Sequence, residues 1–173
     1  LGTLGVGVPP DAVVAGEYTT ADAVSVQRQL AAVRDAGASC VAMEVSSHAL
    51  DQHRVEAVRF RVAAFTNLTR DHLDYHRTMA NYKRAKAQLF AAETLTHAVL
   101  NLDDPFGVEL AGQIKRRGLK IVGYGFETLA PALRRLPQVR GSGLRCAADG
   151  VHFEVSTPWG DAVVSSRVLG RHN

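Results

Sequence analysis

The feature that most constrains this chain is an alternation along its first two-thirds, in which short apolar runs are followed by helical patterns. Residues 40–45 (CVAMEV), 62–68 (VAAFTNL), 98–102 (AVLNL) and 119–124 (LKIVGY) read as strands. Helical patterns precede the first run and follow the second and third. Val26, Leu30 and Val33 recur at spacings of four and three, with Gly37 as a stop. Residues 78–92 and 106–117 are the other two helices, the last with Val108, Leu110 and Ile114 inward and closed by Gly118. Strands separated in this way pair in parallel through crossover helices. The expected fold class is therefore α/β, a mostly parallel sheet with flanking helices. After Phe126 the texture changes. Residues 129–143 read as a proline- and arginine-containing connection with no element of its own. From Leu144 a small antiparallel β segment follows, with turns at Asp149-Gly150 and 158–161, and with Val163, Val164, Val168 and Leu169 continuing it.

In a parallel α/β sheet, ligands gather beyond the carboxyl ends of the strands. Two runs here end in bursts of polar residues. The first delivers Glu44, Ser46, Ser47 and His48, the second Asn67, Asp71, His72, Asp74 and His76. If the two strands are parallel neighbours, both bursts share one edge. A glutamate is rarely buried without a partner, so Glu44 either lies at an exposed edge or meets a cation or base. His72 and His76 share a face if their segment is helical, and with the neighbouring carboxylates they can bind a metal. The tight zinc motifs are absent, and a hard cation such as Mg²⁺, held by one or two protein groups plus phosphate oxygens, fits better. In the 78–92 helix Lys86 stands in the middle of a face marked by Met79, Tyr82, Leu89 and Phe90. It either snorkels outward or points into the site. Thr20 is the expected N-cap of the first helix, with Asp22 in its first turn. Hydroxyls at such a helix start also suit an anion. Residues 48–54 read as a solvated loop.

Composition narrows the classes. A chain of 173 residues, 46% apolar and 21% charged, is sized for one globular domain with a full core. No apolar run approaches the roughly 18 residues of a membrane span. The start carries neither a basic signal-peptide n-region nor an initiator Met, so the chain reads as a piece of a longer one. A net charge of +3 suits acidic small molecules or simply a mildly basic surface, and nucleic acid is not an expected partner. Cys40 and Cys146 lack metal-type spacing and read as reduced thiols of a cytosolic protein.

Tyr18-Thr19-Thr20, MEVSSHALDQHRV at 43–55, FTNLTRDHLDYH at 65–76, residues 82–86, NLDD at 101–104 and the closing LGRHN together carry a resemblance. In order and spacing they resemble the Mur ligases of peptidoglycan synthesis, over nearly the whole chain and most weakly at 125–145. The resemblance implies a central, P-loop-ATPase-like domain spanning residues 1–173, truncated at both ends. The phosphate loop GxxxxGK[ST] and the N-terminal UDP-binding and C-terminal domains would lie outside it, leaving the chain inactive by itself. It further implies Mg²⁺ on Glu44, His72 and a carbamylated Lys86. Thr19, Thr20, Ser46, Gln52 and Arg54 would hold a UDP-muramoyl peptide, and Asn67, His172 and Asn173 would contact ATP. Tyr18 stands where some relatives carry asparagine and receives no role. The implied reaction joins the third stem-peptide amino acid, meso-diaminopimelate or L-lysine, to UDP-MurNAc-L-Ala-D-Glu through an acyl phosphate, in the bacterial cytoplasm. Other readings are a different Mur-type or folylpolyglutamate-type ligase, a metal hydrolase using His72, His76 and Asp71, and a non-catalytic binding module.

Overall fold

A computed structural model of the chain describes residues 1–8, 13–126 and 133–168. The chain divides into two compact units, Leu1–Phe60 with Arg70–Glu93, and Arg61–Thr69 with Thr94–Asn173.

The second unit is built on a six-stranded sheet in the order β1-β2-β3-β4-β5-β6. Its strands are β1 Val62–Phe65, β2 His97–Asn101, β3 Lys120–Gly125, β4 Gln138–Ala147, β5 Gly150–Thr157 and β6 Gly160–Ser166. The first four are parallel, with Val62 opposite His97 and Phe65 opposite Leu100, and the last three pair antiparallel. This is the expected α/β class with its antiparallel tail. Val168 lies past the end of β6, and Leu169 is outside the described residues.

Helix α5, Pro105–Ile114, makes the β2–β3 crossover. Asp104 caps it by accepting from the Phe106 amide at 2.8 Å, Pro105 occupies the first turn, and Gly118 in left-handed conformation (φ 73°) follows its terminal 3₁₀ turn. Phe106, Leu110, Ala111 and Ile114 are buried, as are Phe65, Ala98 and Leu100 of the strands. Val108 is not inward as expected but 37% exposed. It lies two residues from Leu110, about 200° around the helix, so one apolar face cannot hold both.

The NLDD string ties strand ends together. The Asn101 side chain donates to the Thr66 carbonyl at 2.7 Å. Asp103 accepts from the Phe126 amide at 2.7 Å, and Asp104 also accepts from the Leu68 amide at 2.7 Å. The connection expected at 129–143 contains the first half of β4, where Gly123 pairs with Gln138 and Gly125 with Arg140. Those residues lack a period of their own and take strand geometry from the neighbours on either side.

The first unit holds α1 Ala23–Asp35, α2 Ser47–Asp51, α3 Leu73–His76 and α4 Met79–Gln88, the last extended by a 3₁₀ turn, Leu89–Ala91. Its buried residues include Val26, Val33, Ala49, Leu50, Val55, Tyr82, Ala85 and Phe90. Helix α1 stops where Gly37 turns left-handed, as expected, but its N-cap is Asp22 rather than Thr20. The Asp22 carboxylate accepts from the Val24 and Ser25 amides, both at 3.0 Å, whereas the Thr20 hydroxyl is engaged elsewhere. Thr78 caps α4 through the Asn81 amide at 3.2 Å.

Residues 40–45, expected as a strand beside 62–68, form no strand. They belong to the first unit, whereas β1 belongs to the second. Among the described residues their bonds to other backbone groups run to Leu1. The Glu44 amide donates to the Leu1 carbonyl at 2.9 Å, and the Leu1 amino group donates to the Ala42 carbonyl at 3.0 Å. A single residue alongside is not a ladder, and Cys40, Val41 and Ala42 stay exposed.

Candidate functional site

The first unit gathers most of the residues singled out from the sequence. Glu44 is solvent-exposed yet held. Its Oε2 accepts from the Thr3 amide and from the Thr3 hydroxyl, the latter at 2.7 Å. These two bonds, the amide first, keep its carboxyl below the ordinary value of 4.5, so it is ionised at neutral pH. Gly2 packs against the same carboxylate, where an added Cβ would stand 2.6 Å from Oε2. The Thr3 hydroxyl also lies 3.0 Å from that of Thr19. Thr20, buried to 3% exposure, donates to the Glu44 carbonyl and accepts from the Ser46 amide, both at 3.0 Å. Ser46 in turn caps α2 through the Ala49 amide at 3.1 Å. Tyr18, Thr19 and Thr20 line a shallow cleft with Gly2, Gly5 and Met43.

Residues 48–54, expected as a solvated loop, instead include α2 and a chain of side-chain bonds. Arg54 donates from Nη1 to the Thr20 carbonyl at 3.0 Å and from Nε to Gln52 Oε1 at 2.8 Å, with Nη2 on the same Gln52 oxygen. Its guanidinium carbon stands 5.8 Å from the Tyr18 ring centre. Gln52 donates to the Tyr75 hydroxyl at 3.1 Å, and that hydroxyl donates to Asp51 at 2.9 Å. Thr19, Thr20, Ser46, Gln52 and Arg54 are thus linked in one network.

Tyr75 leads to a group of rings. His48 lies 4.2 Å from Tyr75, 5.0 Å from His72 and 5.4 Å from His76, centre to centre. His76 is buried, hydrogen-bonded through Nε2 to the buried Ser47 hydroxyl at 2.9 Å, and stacked on Tyr82 at 5.3 Å. Burial, and then the nearby His48, hold its imidazole below the ordinary 6.5. Tyr82 is buried beneath His72, whose ring meets it edge-on at 5.7 Å. Half-buried Lys86 carries its ammonium 5.2 Å from the centre of the Tyr82 ring, so the lysine lies along this group. His72 itself is the left-handed residue (φ 54°) that opens α3, and its Nε2 stands 3.7 Å from Asp71. With His76 turned to Ser47, the His72–His76–Asp71 set of a metal hydrolase does not converge. Among the described residues no three His, Cys, Asp or Glu side chains are placed to share a metal ion.

Asn67 follows β1 and belongs to the second unit, while His172 and Asn173 lie outside the described residues. Sequence reasoning placed Ser47 in the first polar burst but missed Thr3 and Tyr75. Thr3 sits in a glycine-rich stretch that reads as loop. Tyr75 carried a readable signal, lying four residues before Met79 and inside the DHLDYH string.

The Mur ligase middle domain model matches residues 1–173. The chain belongs to the Mur ligase family. This Mur ligase domain is 50% identical over 175 residues to the UDP-N-acetylmuramoyl-L-alanyl-D-glutamate–2,6-diaminopimelate ligase of Alkalilimnicola ehrlichii, covering 100% of the chain and 33% of that relative. To the ligase of the same name from Ralstonia nicotianae it is 46% identical over 174 residues, 100% of the chain and 34% of the relative. A solved structure of an enzyme of that name superposes with a TM-score of 0.84 at 31% identity, over 99% of this chain and 34% of that one. A D-alanyl-D-alanyl-adding ligase from Acinetobacter baumannii shares the fold at a TM-score of 0.54 and 19% identity, over 69% of this chain and 24% of that one. The Mur ligase domain thus spans about a third of the length of the curated relatives it matches. None of the helices among the described residues is long and apolar enough to cross a membrane.

Proposed function

We propose that this Mur ligase domain is the central part of an ATP-dependent ligase that joins 2,6-diaminopimelate to UDP-MurNAc-L-Ala-D-Glu. The observation that carries the reading is the single hydrogen-bonded network linking Thr19, Thr20, Ser46, Gln52 and Arg54 beside Glu44. These residues hold the UDP-muramoyl dipeptide. Asn67, His172 and Asn173 contact ATP. The names of the similar ligases favour diaminopimelate over lysine. The N-terminal UDP-binding and C-terminal domains of such an enzyme lie outside this chain, which acts in the cytoplasm.

Glu44, His72 and Lys86 would hold the hard cation Mg²⁺. Glu44 is anionic at neutral pH because Thr3 solvates it, and His72 presents an exposed imidazole. Lys86 lies against the same Tyr82 as His72, and carbamylation would turn it into a third, anionic holder of Mg²⁺. When bound, Mg²⁺ offsets the repulsion between the substrate carboxylate and the γ-phosphate, about 4 kcal/mol for two unit charges ~4 Å apart at an effective dielectric of 20. The dipeptide carboxylate is the nucleophile. It attacks the γ-phosphorus, ADP leaves, and the diaminopimelate amine then displaces phosphate from the acyl carbon. No side chain of this chain forms a covalent bond in these steps; the network orients the dipeptide for attack.

The test is ADP release by the full-length protein containing this chain. Release is expected when ATP, Mg²⁺, UDP-MurNAc-L-Ala-D-Glu and diaminopimelate are all present, and none is expected from residues 1–173 by themselves. Equal turnover with lysine would overturn the amino-acid assignment, and failure to consume the dipeptide would overturn the reading.

A further inference from the structure

Thr3 belongs to none of the groups assigned above, yet it stands between two of them. Its hydroxyl is 2.7 Å from Glu44 Oε2 and 3.0 Å from the Thr19 hydroxyl, and its amide also donates to Oε2. A hydroxyl carries one proton. An ionised carboxylate accepts and never donates, so the Thr3 proton goes to Glu44. The Thr19 proton must then go to the Thr3 oxygen. Two hydroxyls that could otherwise point either way are thereby given one direction by a fixed negative charge. Thr19 keeps its lone pairs for whatever enters the cleft that it lines with Tyr18, Thr20 and Met43. It presents an acceptor there, not a donor. Gly2 adds to the constraint, because a side chain at that position would displace the carboxylate that sets the order.

We infer that Thr3 is a positioning residue that orients Thr19 to accept a hydrogen bond from an N–H or O–H group of the substrate. The inference rests on the proposed function, since it takes the substrate at Thr19 to be the UDP-muramoyl dipeptide. It assigns that contact to a sugar hydroxyl or peptide amide of the dipeptide and excludes its carboxylates. Anions would be repelled by the lone pairs, and Glu44 lies just behind.

The experiment is calorimetric titration of UDP-MurNAc-L-Ala-D-Glu into the full-length protein without ATP or Mg²⁺, so that binding is read apart from turnover. Thr3→Val and Thr3→Ala are expected to weaken binding about tenfold, the worth of one hydrogen bond. Thr3→Ser, which restores the hydroxyl, should come back to within about twofold. The double variant Thr3→Val with Thr19→Ala should bind no more weakly than Thr19→Ala, because the two act through one contact. Two alanine and valine variants guard against one failing to fold, and unfolding midpoints near wild type confirm that both compare folded proteins. Wild-type affinity in Thr3→Val and Thr3→Ala, alongside a weakened Thr19→Ala, would overturn the inference and leave the proposed function standing. Additive losses in the double variant would do the same. A wild-type protein that does not bind the dipeptide would overturn both.

Discussion

Arg54 makes three of its bonds within its own unit, two to Gln52 and one to the Thr20 carbonyl. A guanidinium has five N–H donors in one plane, so two take part in none of these bonds. The guanidinium carbon also stands over the Tyr18 ring, 5.8 Å from its centre. A lysine could replace the charge but not the fork. Arg54→Lys is therefore expected to weaken UDP-muramoyl dipeptide binding about tenfold or more, with ATP binding unchanged. Titration calorimetry of both ligands on the full-length protein checks it; equal loss for both ligands would point to a general disturbance instead.

Among the elements, α5 is seated by a residue without a side chain. An added Cβ on Gly107 would lie 1.8 Å from the Asn101 carbonyl oxygen and 3.3 Å from the Phe65 ring. Backbone cannot swing aside as a side-chain tip can, so Gly107→Ala should destabilise by at least about 2 kcal/mol despite alanine's better helix propensity. Denaturant unfolding measures it. The α5 pattern was legible in the sequence because Leu110 and Ile114 keep helical spacing and Gly118 closes the run, although Val108 was placed on the wrong face. Helix α4 and strands β2, β3 and β5 were legible for the same reason of period. Three stretches were not, among them residues 48–54, which read as a solvated loop and hold most of α2. The apolar content of residues 40–45 matches a buried strand, but a strand needs a ladder, and composition does not reveal which segment lies alongside. The start of β4 failed the other way, since Gly141 and Gly143 carry no alternation and a neighbouring strand supplies the geometry. At the site, the strings of polar residues marked where side chains would gather. They gave no hint that Thr3, some forty residues away, would carry the Glu44 carboxylate.

For the molecule as a whole, His76 and Glu44 each contribute stability that is lost in acid. His76 has its pKa lowered by burial, so as pH falls below 6.5 the unfolded chain takes up a proton that the folded one refuses. Stability is full above that value and declines as pH drops towards the folded pKa. Glu44 has the same sign in a lower window, contributing above 4.5 and losing that contribution as pH falls through its depressed folded value. The unfolding midpoint should therefore begin to fall between roughly pH 7 and 5, and His76→Gln should flatten that part of the curve while leaving the lower part. A wild-type midpoint constant down to pH 5 would refute the His76 assignment. The division of the chain bears on how it is made. Residues 70–93, which carry α3 and α4, are threaded between β1 and β2. During synthesis the ring group and its lysine are complete once residue 93 has emerged, whereas β1 waits for His97–Asn101 before its ladder can form. The ribosome thus delivers the whole first unit ahead of the sheet, with a four-residue apolar strand held unpaired in the meantime. A pause in translation just after residue 93 would therefore prolong the exposure of one strand edge without delaying the assembly of the ring group and its lysine.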